Sequence, residues 1–272
     1  MQVLGDGGIP IDVRIDGGGA HVVVLLAGFP LTRDIWDEAA RDLARAHRVV
    51  RPELRGVRAS GANDGPFLME SLASDIAAVL DEIGVRRASI AGHSMGGYVA
   101  LAFARMFTER VERLALVCSR LSADSAQQAQ SRKALADKVY SGDRLALADA
   151  YAARLTCDAT RASHPEIVRR VADMAAAIDP RGAAALLRGM ALRSASDDIA
   201  PELTMPVLII AGECDEIVPL AEARTTARAF PQAELAIAPS AGHVPMLEAP
   251  EFTSAALSRW MGRIDAVSES GS

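Results

Sequence analysis

One stretch of the sequence decides the fold: Ala88-Ser89-Ile90-Ala91-Gly92-His93-Ser94-Met95-Gly96-Gly97-Tyr98-Val99-Ala100-Leu101. A short apolar run ends at Gly92, and a helix-like pattern follows Ser94 at once. In so tight a turn a side chain at Gly92 or Gly96 would collide with the neighbouring chain, so both positions require glycine. The stretch therefore predicts a strand, a sharp turn and a helix. The Ser94 hydroxyl then lies at the helix N-terminus, where free N–H groups favour negative charge.

Two later stretches end in polar residues that suit acid–base chemistry. Val207-Leu208-Ile209-Ile210-Ala211 has the pattern of a buried strand and precedes Gly212-Glu213-Cys214-Asp215-Glu216-Ile217-Val218-Pro219. Ser240-Ala241-Gly242-His243-Val244-Pro245 leads into an amphipathic final helix. A serine hydroxyl becomes a nucleophile when an imidazole accepts its proton, and a carboxylate orients that imidazole. The residues alone leave open which carboxylate (Glu213, Asp215 or Glu216) and which imidazole (His21, His93 or His243) would do so.

The chain order Ser94, Asp215, His243 resembles that of the α/β-hydrolase superfamily, and the resemblance covers nearly the whole chain. It implies an α/β fold, with a mostly parallel central sheet flanked by helices. It also implies Ser94 as nucleophile and His243 as base. The Gly-x-x-Asp-x-x-x-Pro pattern at 212–219 corresponds to the acid loop of the family and favours Asp215. His93 is then expected to pack inside the turn rather than face the hydroxyl.

The resemblance also implies an oxyanion hole made of two backbone N–H groups. A continuous apolar strand, Val22 to Leu26, ends at Ala27-Gly28-Phe29-Pro30. In α/β-hydrolases this loop supplies one N–H and the residue after the nucleophile supplies the other. The matching residues here are Phe29 and Met95. The family usually has His before this glycine, whereas this chain has Ala27, so the imidazole that normally braces the loop is missing.

A helical insertion is expected between two strands of the sheet. From about 121 to 197 the strand signal vanishes, and four Ala-rich helices are predicted. Ser122 could cap the first, Ser163-His164-Pro165-Glu166 has capping-box spacing, and Asp179-Pro180 starts another. Residues 1–120 and 198–272 would then form the core domain, and 121–197 a cap that roofs the pocket. Candidate substrate contacts are Tyr151, Met174, Leu187 and Met190 in the cap and Gly28, Val218 and Val244 in the loops.

Periodicity predicts the remaining elements. Alternating residues from Ile9 to Ile15 suggest an edge strand, and Val111 to Val117 and Ala233 to Ala238 suggest further strands. Helices are expected at 34–46, 70–83 and 221–230, the second of them closed by Gly84.

Composition restricts the classes of function. The 272 residues are 50% hydrophobic and carry a net charge of −6 without a Lys/Arg block, which argues against nucleic acid or an anionic membrane as partner. Cys118, Cys157 and Cys214 show no paired or metal-ligand spacing, and no metal is expected. The serine chemistry that the resemblance implies needs no cofactor. No signal-peptide pattern and no apolar run of membrane-spanning length is present. A cytoplasmic monomer or homodimer is expected.

These patterns together predict a serine ester hydrolase, similar to the carboxylesterase and enol-lactonase branch, acting on a small or medium carboxylic ester or lactone. A carbon–carbon-bond hydrolase and a cofactor-free perhydrolase share this layout and remain open. A receptor-like binding protein with little turnover is a further alternative, which three intact catalytic side chains disfavour. The low aromatic content of 4% argues against a stacking pocket for polyaromatic substrates.

Overall fold

The computed structural model describes residues 1–61, 65–143 and 146–262. The strands in these residues join in a single sheet, whose flanks are covered by helices. The strands are β1 (Gln2–Leu4), β2 (Pro10–Asp16), β3 (Val22–Leu26), β4 (Arg48–Pro52), β5 (Ala88–His93), β6 (Val111–Val117), β7 (Val207–Gly212) and β8 (Ala233–Ala238). Their order across the sheet is β1-β2-β4-β3-β5-β6-β7-β8. β2 pairs antiparallel with β1 and β4, and the other pairs are parallel.

None of the described helices combines the length and the apolar character that crossing a lipid bilayer requires. The α-helices are α1 (Asp37–Leu43), α2 (Met69–Glu82), α3 (Met95–Met106), α4 (Ala126–Tyr140), α5 (Ala146–Tyr151), α6 (Asp158–Ser163), α7 (Pro165–Ala176), α8 (Pro180–Leu192), α9 (Leu220–Ala229), α10 (Pro245–Glu248) and α11 (Pro250–Gly262).

The central strands are buried on both faces, as continuous apolar runs predict for a parallel sheet. Every residue of β3, β5 and β7 is buried. Helices α2 and α3 contribute to the hydrophobic core on one face, and α1 and α11 to the core on the other. Because β3 and β5 to β8 run parallel, their carboxyl ends meet at one edge of the sheet. The predicted α/β class and the bounds of β3, β6 and β8 are confirmed.

The predicted edge strand is wrong in its position. β2 corresponds to the expected alternating segment, but β1 pairs outside it and forms the edge. A strand of three residues is too short to show the alternation on which sequence periodicity depends.

The segment between β6 and β7 is helical, as predicted, and its described residues contain α4 to α8, one helix more than expected. Ser125, not Ser122, caps α4, and Ser122 instead donates a hydrogen bond to Glu222 at 2.6 Å. Ser163 is the last residue of α6 rather than a cap of α7. A helix starts at Asp179-Pro180 as predicted, and Asp179 caps it by accepting hydrogen bonds from the first backbone N–H groups of α8.

Candidate active site

Ser94 lies in a strained turn between β5 and α3. Its φ of 49° and ψ of −114° are backbone angles that a non-glycine residue rarely adopts. A β-carbon on Gly92 would lie 2.2 Å from the carbonyl oxygen of Gly96, and one on Gly96 would lie 2.5 Å from that of Leu26. Such strain costs about 1–3 kcal/mol and persists only where the surroundings enforce it. The strand, the two glycines and the helix thus fix Ser94 in a sharp turn beyond the end of β5, as the sequence predicts.

Three predicted side chains form a hydrogen-bonded line. His243 Nε2 lies 2.8 Å from Ser94 Oγ, and His243 Nδ1 lies 2.7 Å from Asp215 Oδ2. Asp215 Oδ1 accepts hydrogen bonds from the backbone N–H groups of Ile217 at 2.8 Å and Val218 at 3.0 Å. Burial acts to raise the pKa of Asp215, but the imidazole and the two N–H groups outweigh it and lower that pKa below its usual value. Asp215 therefore remains a carboxylate that orients the imidazole.

The rival carboxylates and imidazoles lie elsewhere. Glu213 accepts a hydrogen bond from the backbone N–H of Ser240 at 2.9 Å. Glu216 is exposed, although it lines the cavity in front of Ser94. His21 precedes β3, at the opposite end of that strand from the loop that reaches Ser94. Of the three carboxylates in this loop, Asp215 is the one bonded to His243.

His93 supports the main chain of His243 instead of facing the hydroxyl. Its Nε2 lies 2.7 Å from the carbonyl oxygen of His243, and since a carbonyl only accepts, Nε2 carries the proton. Burial, followed by the nearby His243, lowers the pKa of His93 to about 3. Of the two imidazoles, His243 is therefore the one hydrogen-bonded to the Ser94 hydroxyl.

A buried thiol adjoins this line. Ligating atoms of Cys118, Asp215 and His243 lie within 4.8 Å of one another. Asp215 and His243 are already in direct contact at the 2.7 Å of a hydrogen bond. Burial, together with the Asp215 charge, raises the pKa of Cys118 well above its ordinary value, so the thiol stays protonated. Cys118 therefore acts as a neutral packing neighbour of the carboxylate.

The predicted oxyanion loop lies directly against the nucleophile. A β-carbon on Gly28 would lie 2.8 Å from the β-carbon of Ser94, so the loop approaches the turn as closely as a glycine permits. Phe29 and Met95 are both buried, and within the described residues neither backbone N–H has a backbone acceptor. Two N–H groups without such partners beside Ser94 are suited to bind a developing oxyanion.

Glu53 is a buried carboxyl that binds the chain shortly after this loop. Glu53 Oε2 accepts the backbone N–H of Arg33 at 3.1 Å, and Glu53 Oε1 lies 3.4 Å from Arg58 Nη1. Glu53 and Phe29 both line a small void next to Met95. Burial raises the pKa of Glu53 to about 7, despite the opposing effects of the Arg33 N–H and the two guanidiniums. A buried carboxyl with this pKa titrates near neutral pH.

We expect Glu53 to make the free energy of unfolding depend on pH. Because its pKa is higher in the folded state, its contribution is fully present below the unfolded pKa of about 4.5 and is lost as pH rises through about 7. At about 1.4 kcal/mol per pKa unit the loss is on the order of 3 kcal/mol. Urea unfolding at pH 5 and pH 8 should show this loss in wild type and not in Glu53→Gln.

The control for that measurement is Glu109→Gln, which removes an exposed carboxylate far from the void. It should retain the wild-type pH dependence. If Glu53→Gln loses as much stability as wild type between the two pH values, Glu53 does not titrate in this range.

A cavity of about 460 Å³ opens in front of Ser94 and His243. Of the predicted substrate contacts, Tyr151 and Met190 line it, together with Phe29. The rings of Tyr151 and Phe29 meet edge to face, with centroids 5.6 Å apart. The helical segment therefore touches the oxyanion loop.

The other predicted contacts do not line this cavity. Met174 and Val244 pack in the core around α1 and α11, and Leu187 packs in the core around α2 and α3. Val218 is buried and donates its N–H to Asp215, and Gly28 packs against Ser94. Met174, Leu187 and Val244 are apolar, and an apolar side chain is at least as favourable in the core as in a pocket.

The cavity also has a polar wall, whose residues are not among the predicted substrate contacts. α4 contributes Gln128, Ser131 and Arg132, which share one helix face. The i, i+3, i+4 spacing of these residues was the available signal. Tyr98, Arg120 and Arg154 come from three other segments and have no shared sequence pattern.

Comparisons with known proteins agree with this architecture. A family model described as alpha/beta hydrolase fold matches residues 21–250. A solved esterase from Thermogutta terrifontis, with malate bound, is 33% identical, with a TM-score of 0.94 over 97% of this chain and 98% of that chain. The enol-lactonase from Burkholderia xenovorans LB400 is 26% identical, with a TM-score of 0.89 over 96% of this chain and 100% of that chain.

A curated relative is larger than this chain. The dihydrolipoyllysine-residue acetyltransferase component of an acetoin cleaving system from Pseudomonas putida is 30% identical over 246 residues, which are 88% of this chain and 62% of that protein. The chain therefore spans less than two thirds of the length of that relative.

Proposed function

The chain belongs to the α/β-hydrolase fold family, and from that premise we propose that it is a serine hydrolase that cleaves a small or medium carboxylic ester or lactone. The observation that carries the proposal is the hydrogen-bonded line from Asp215 through His243 to Ser94. Nucleophile, base and orienting carboxylate stand in the geometry that nucleophilic acyl transfer requires.

In the proposed first step, Ser94 Oγ attacks the carbonyl carbon of the ester. His243 Nε2, 2.8 Å away, accepts the hydroxyl proton and then donates it to the leaving alcohol. Asp215 holds the proton on Nδ1 and stabilises the imidazolium that forms. An acyl group is then bonded to Ser94.

The developing negative charge falls on the carbonyl oxygen of the substrate. The backbone N–H groups of Phe29 and Met95 are proposed to bind it, and one such donor typically contributes about 2.7–4 kcal/mol to transition-state stabilisation. Water activated by His243 then hydrolyses the acyl group and restores the Ser94 hydroxyl.

We also propose that residues 121–197 act as a cap that selects substrates. Supporting this, Gln128, Arg132, Tyr151 and Met190 from this segment line the cavity, whereas Ser94 and His243 come from the sheet domain. The backbone N–H of His243 also donates to the carbonyl of Leu155 at 2.9 Å, which ties the cap to the loop of the base.

The substrate class is supported by the relatives. The Thermogutta protein is described as an esterase and the Burkholderia protein as an enol-lactonase, and both align with almost the whole chain. Carboxylic esters and lactones react through the same tetrahedral oxyanion, so the proposed site is suited to either.

A fluorophosphonate probe tests the nucleophile directly. We expect the probe to react with the folded protein and to add its mass to the peptide that contains Ser94, since only an activated serine attacks phosphorus rapidly. Mass spectrometry of the digested protein identifies the labelled residue. Stoichiometric labelling of another serine, or none at all, would contradict the proposal.

A substrate panel then separates the reaction types that share this layout. It contains p-nitrophenyl esters of rising acyl length, lactones and a vinylogous diketone, and peracid formation is measured with peroxide present. Ester or lactone cleavage with an initial burst of product supports the proposal. Exclusive cleavage of the diketone indicates a carbon–carbon hydrolase, and no turnover indicates a binding protein.

A further inference from the structure

The cavity in front of Ser94 has a cationic wall. Arg120, Arg132 and Arg154 line it, and among the lining side chains that the structure describes Glu216 is the one carboxylate. Catalysis as proposed uses none of these groups.

A buried ion cluster holds two of these arginines in place. The Asp124 carboxylate, whose side chain is only 2% exposed, lies 2.9 Å from Arg120 Nη2 and 2.5 Å from Arg132 Nε. Arg193 Nη2 lies 3.8 Å from the same carboxylate, and Glu222 lies 3.6 Å from Arg120. Burial acts to raise the pKa of Asp124, but the arginines outweigh it and lower that pKa, so this anion stays charged.

The cations still outnumber the anions. Among the described residues, the cavity wall and the ion cluster behind it contain four guanidiniums, those of Arg120, Arg132, Arg154 and Arg193. They contain three carboxylates, those of Asp124, Glu216 and Glu222. One positive charge is therefore unmatched, a balance that favours a ligand with one negative charge.

Several N–H groups of the wall arginines also lack an acceptor among the described residues. Among the described residues, the buried Nε of Arg120 has no hydrogen-bond partner, and the exposed Arg154 has no ion pair. Arg132 bonds to Asp124 through Nε, and its two terminal nitrogens make no hydrogen bond to described residues. Guanidiniums with free N–H groups bind planar carboxylates through paired hydrogen bonds.

We propose that the cavity takes an anionic substrate: an ester or lactone that carries a free carboxylate, bound by Arg132 and Arg154 with Arg120 behind them. This inference rests on the proposed ester hydrolysis and adds the charge of the substrate. It assigns Arg132 and Arg154 to substrate binding, where they act on affinity rather than on the acyl-transfer step.

Two esters of equal acyl length test it: 4-nitrophenyl hydrogen adipate, which carries a carboxylate, and its neutral methyl ester. We expect wild type to prefer the anionic ester by at least about tenfold in kcat/KM, because hydrogen bonds to charged groups are strong. Arg154→Gln and Arg132→Lys should each lower kcat/KM for the anionic ester at least about fivefold more than kcat/KM for the neutral ester, because each removes a paired hydrogen bond to the carboxylate. Added NaCl should slow cleavage of the anionic ester only.

The matched control is Arg169→Gln, which removes an exposed arginine of α7 outside the cavity and should retain the full preference. Equal cleavage of the two esters by wild type would overturn the subsite and leave the hydrolase proposal intact. So would equal losses on both esters in both variants.

If neither ester is cleaved, the substrate panel described above decides the proposed function, and titration calorimetry with adipate decides the subsite separately. Binding that weakens at least about fivefold in Arg154→Gln and not in Arg169→Gln supports the subsite. Absent or unchanged binding overturns it.

Discussion

Ser94→Ala is expected to fold normally and to lose at least about 10⁴-fold in kcat on a p-nitrophenyl ester, since loss of a nucleophilic serine is among the largest single effects known for such sites. A methyl group cannot form the acyl-enzyme. The oxyanion N–H groups and the cavity remain, so weak residual turnover and ligand binding should persist. Steady-state kinetics with circular dichroism measures both activity and folding.

Alanine keeps the β-carbon and removes only the hydroxyl, so the turn at position 94 should be unaltered. The control is Ser141→Ala, which removes an exposed serine after α4 and should leave activity unchanged. Retention of wild-type turnover in Ser94→Ala would reject the acyl-enzyme mechanism.

Asp215→Asn is expected to lower kcat by at least about 100-fold with little change in KM. The matching change in a serine protease costs about 10⁴ in turnover because the amide holds the wrong imidazole tautomer. Here Asp215 Oδ2 lies 2.7 Å from His243 Nδ1, so an amide nitrogen at that place would oppose the required N–H. Asp215 does not line the substrate cavity, so KM should stay close to its wild-type value.

Glu213→Gln is the matched control, since it changes a carboxylate two residues away that bonds only to the Ser240 backbone among described residues. Turnover within about threefold of wild type is expected, the range of ordinary surface changes. If Glu213→Gln is impaired and Asp215→Asn is active, the acid is misassigned, whereas the assignments of Ser94 and His243 would stand.

Much of the fold could be predicted from the sequence, because its elements are encoded by local signals. The continuous apolar runs of β3 and β6 and the Gly84 stop after α2 depend on neighbours within a few residues. The turn at Ser94 is local only in part: Gly92 is required by the backbone of Gly96 within the turn, whereas Gly96 is required by Leu26 on the neighbouring strand β3.

The errors occur where two local signals compete or where a partner is distant. Ser122 and Ser125 are both capping residue types, and the choice follows from Glu222, which bonds to Ser122 from a remote helix. The edge position of β1 depends on its pairing with β2, and the three residues of β1 are too few to predict that pairing.

The sequence by itself determined the α/β class, the strand order in the chain and the candidates Ser94, Asp215 and His243, because each resides in a short motif. Only the tertiary structure decided which carboxylate is hydrogen-bonded to His243, which partners Glu53 has and which residues line the cavity. Arg120, Arg132 and Arg154 come from separate segments and share no local pattern. Their convergence is a property of packing between elements, which no single stretch of sequence encodes.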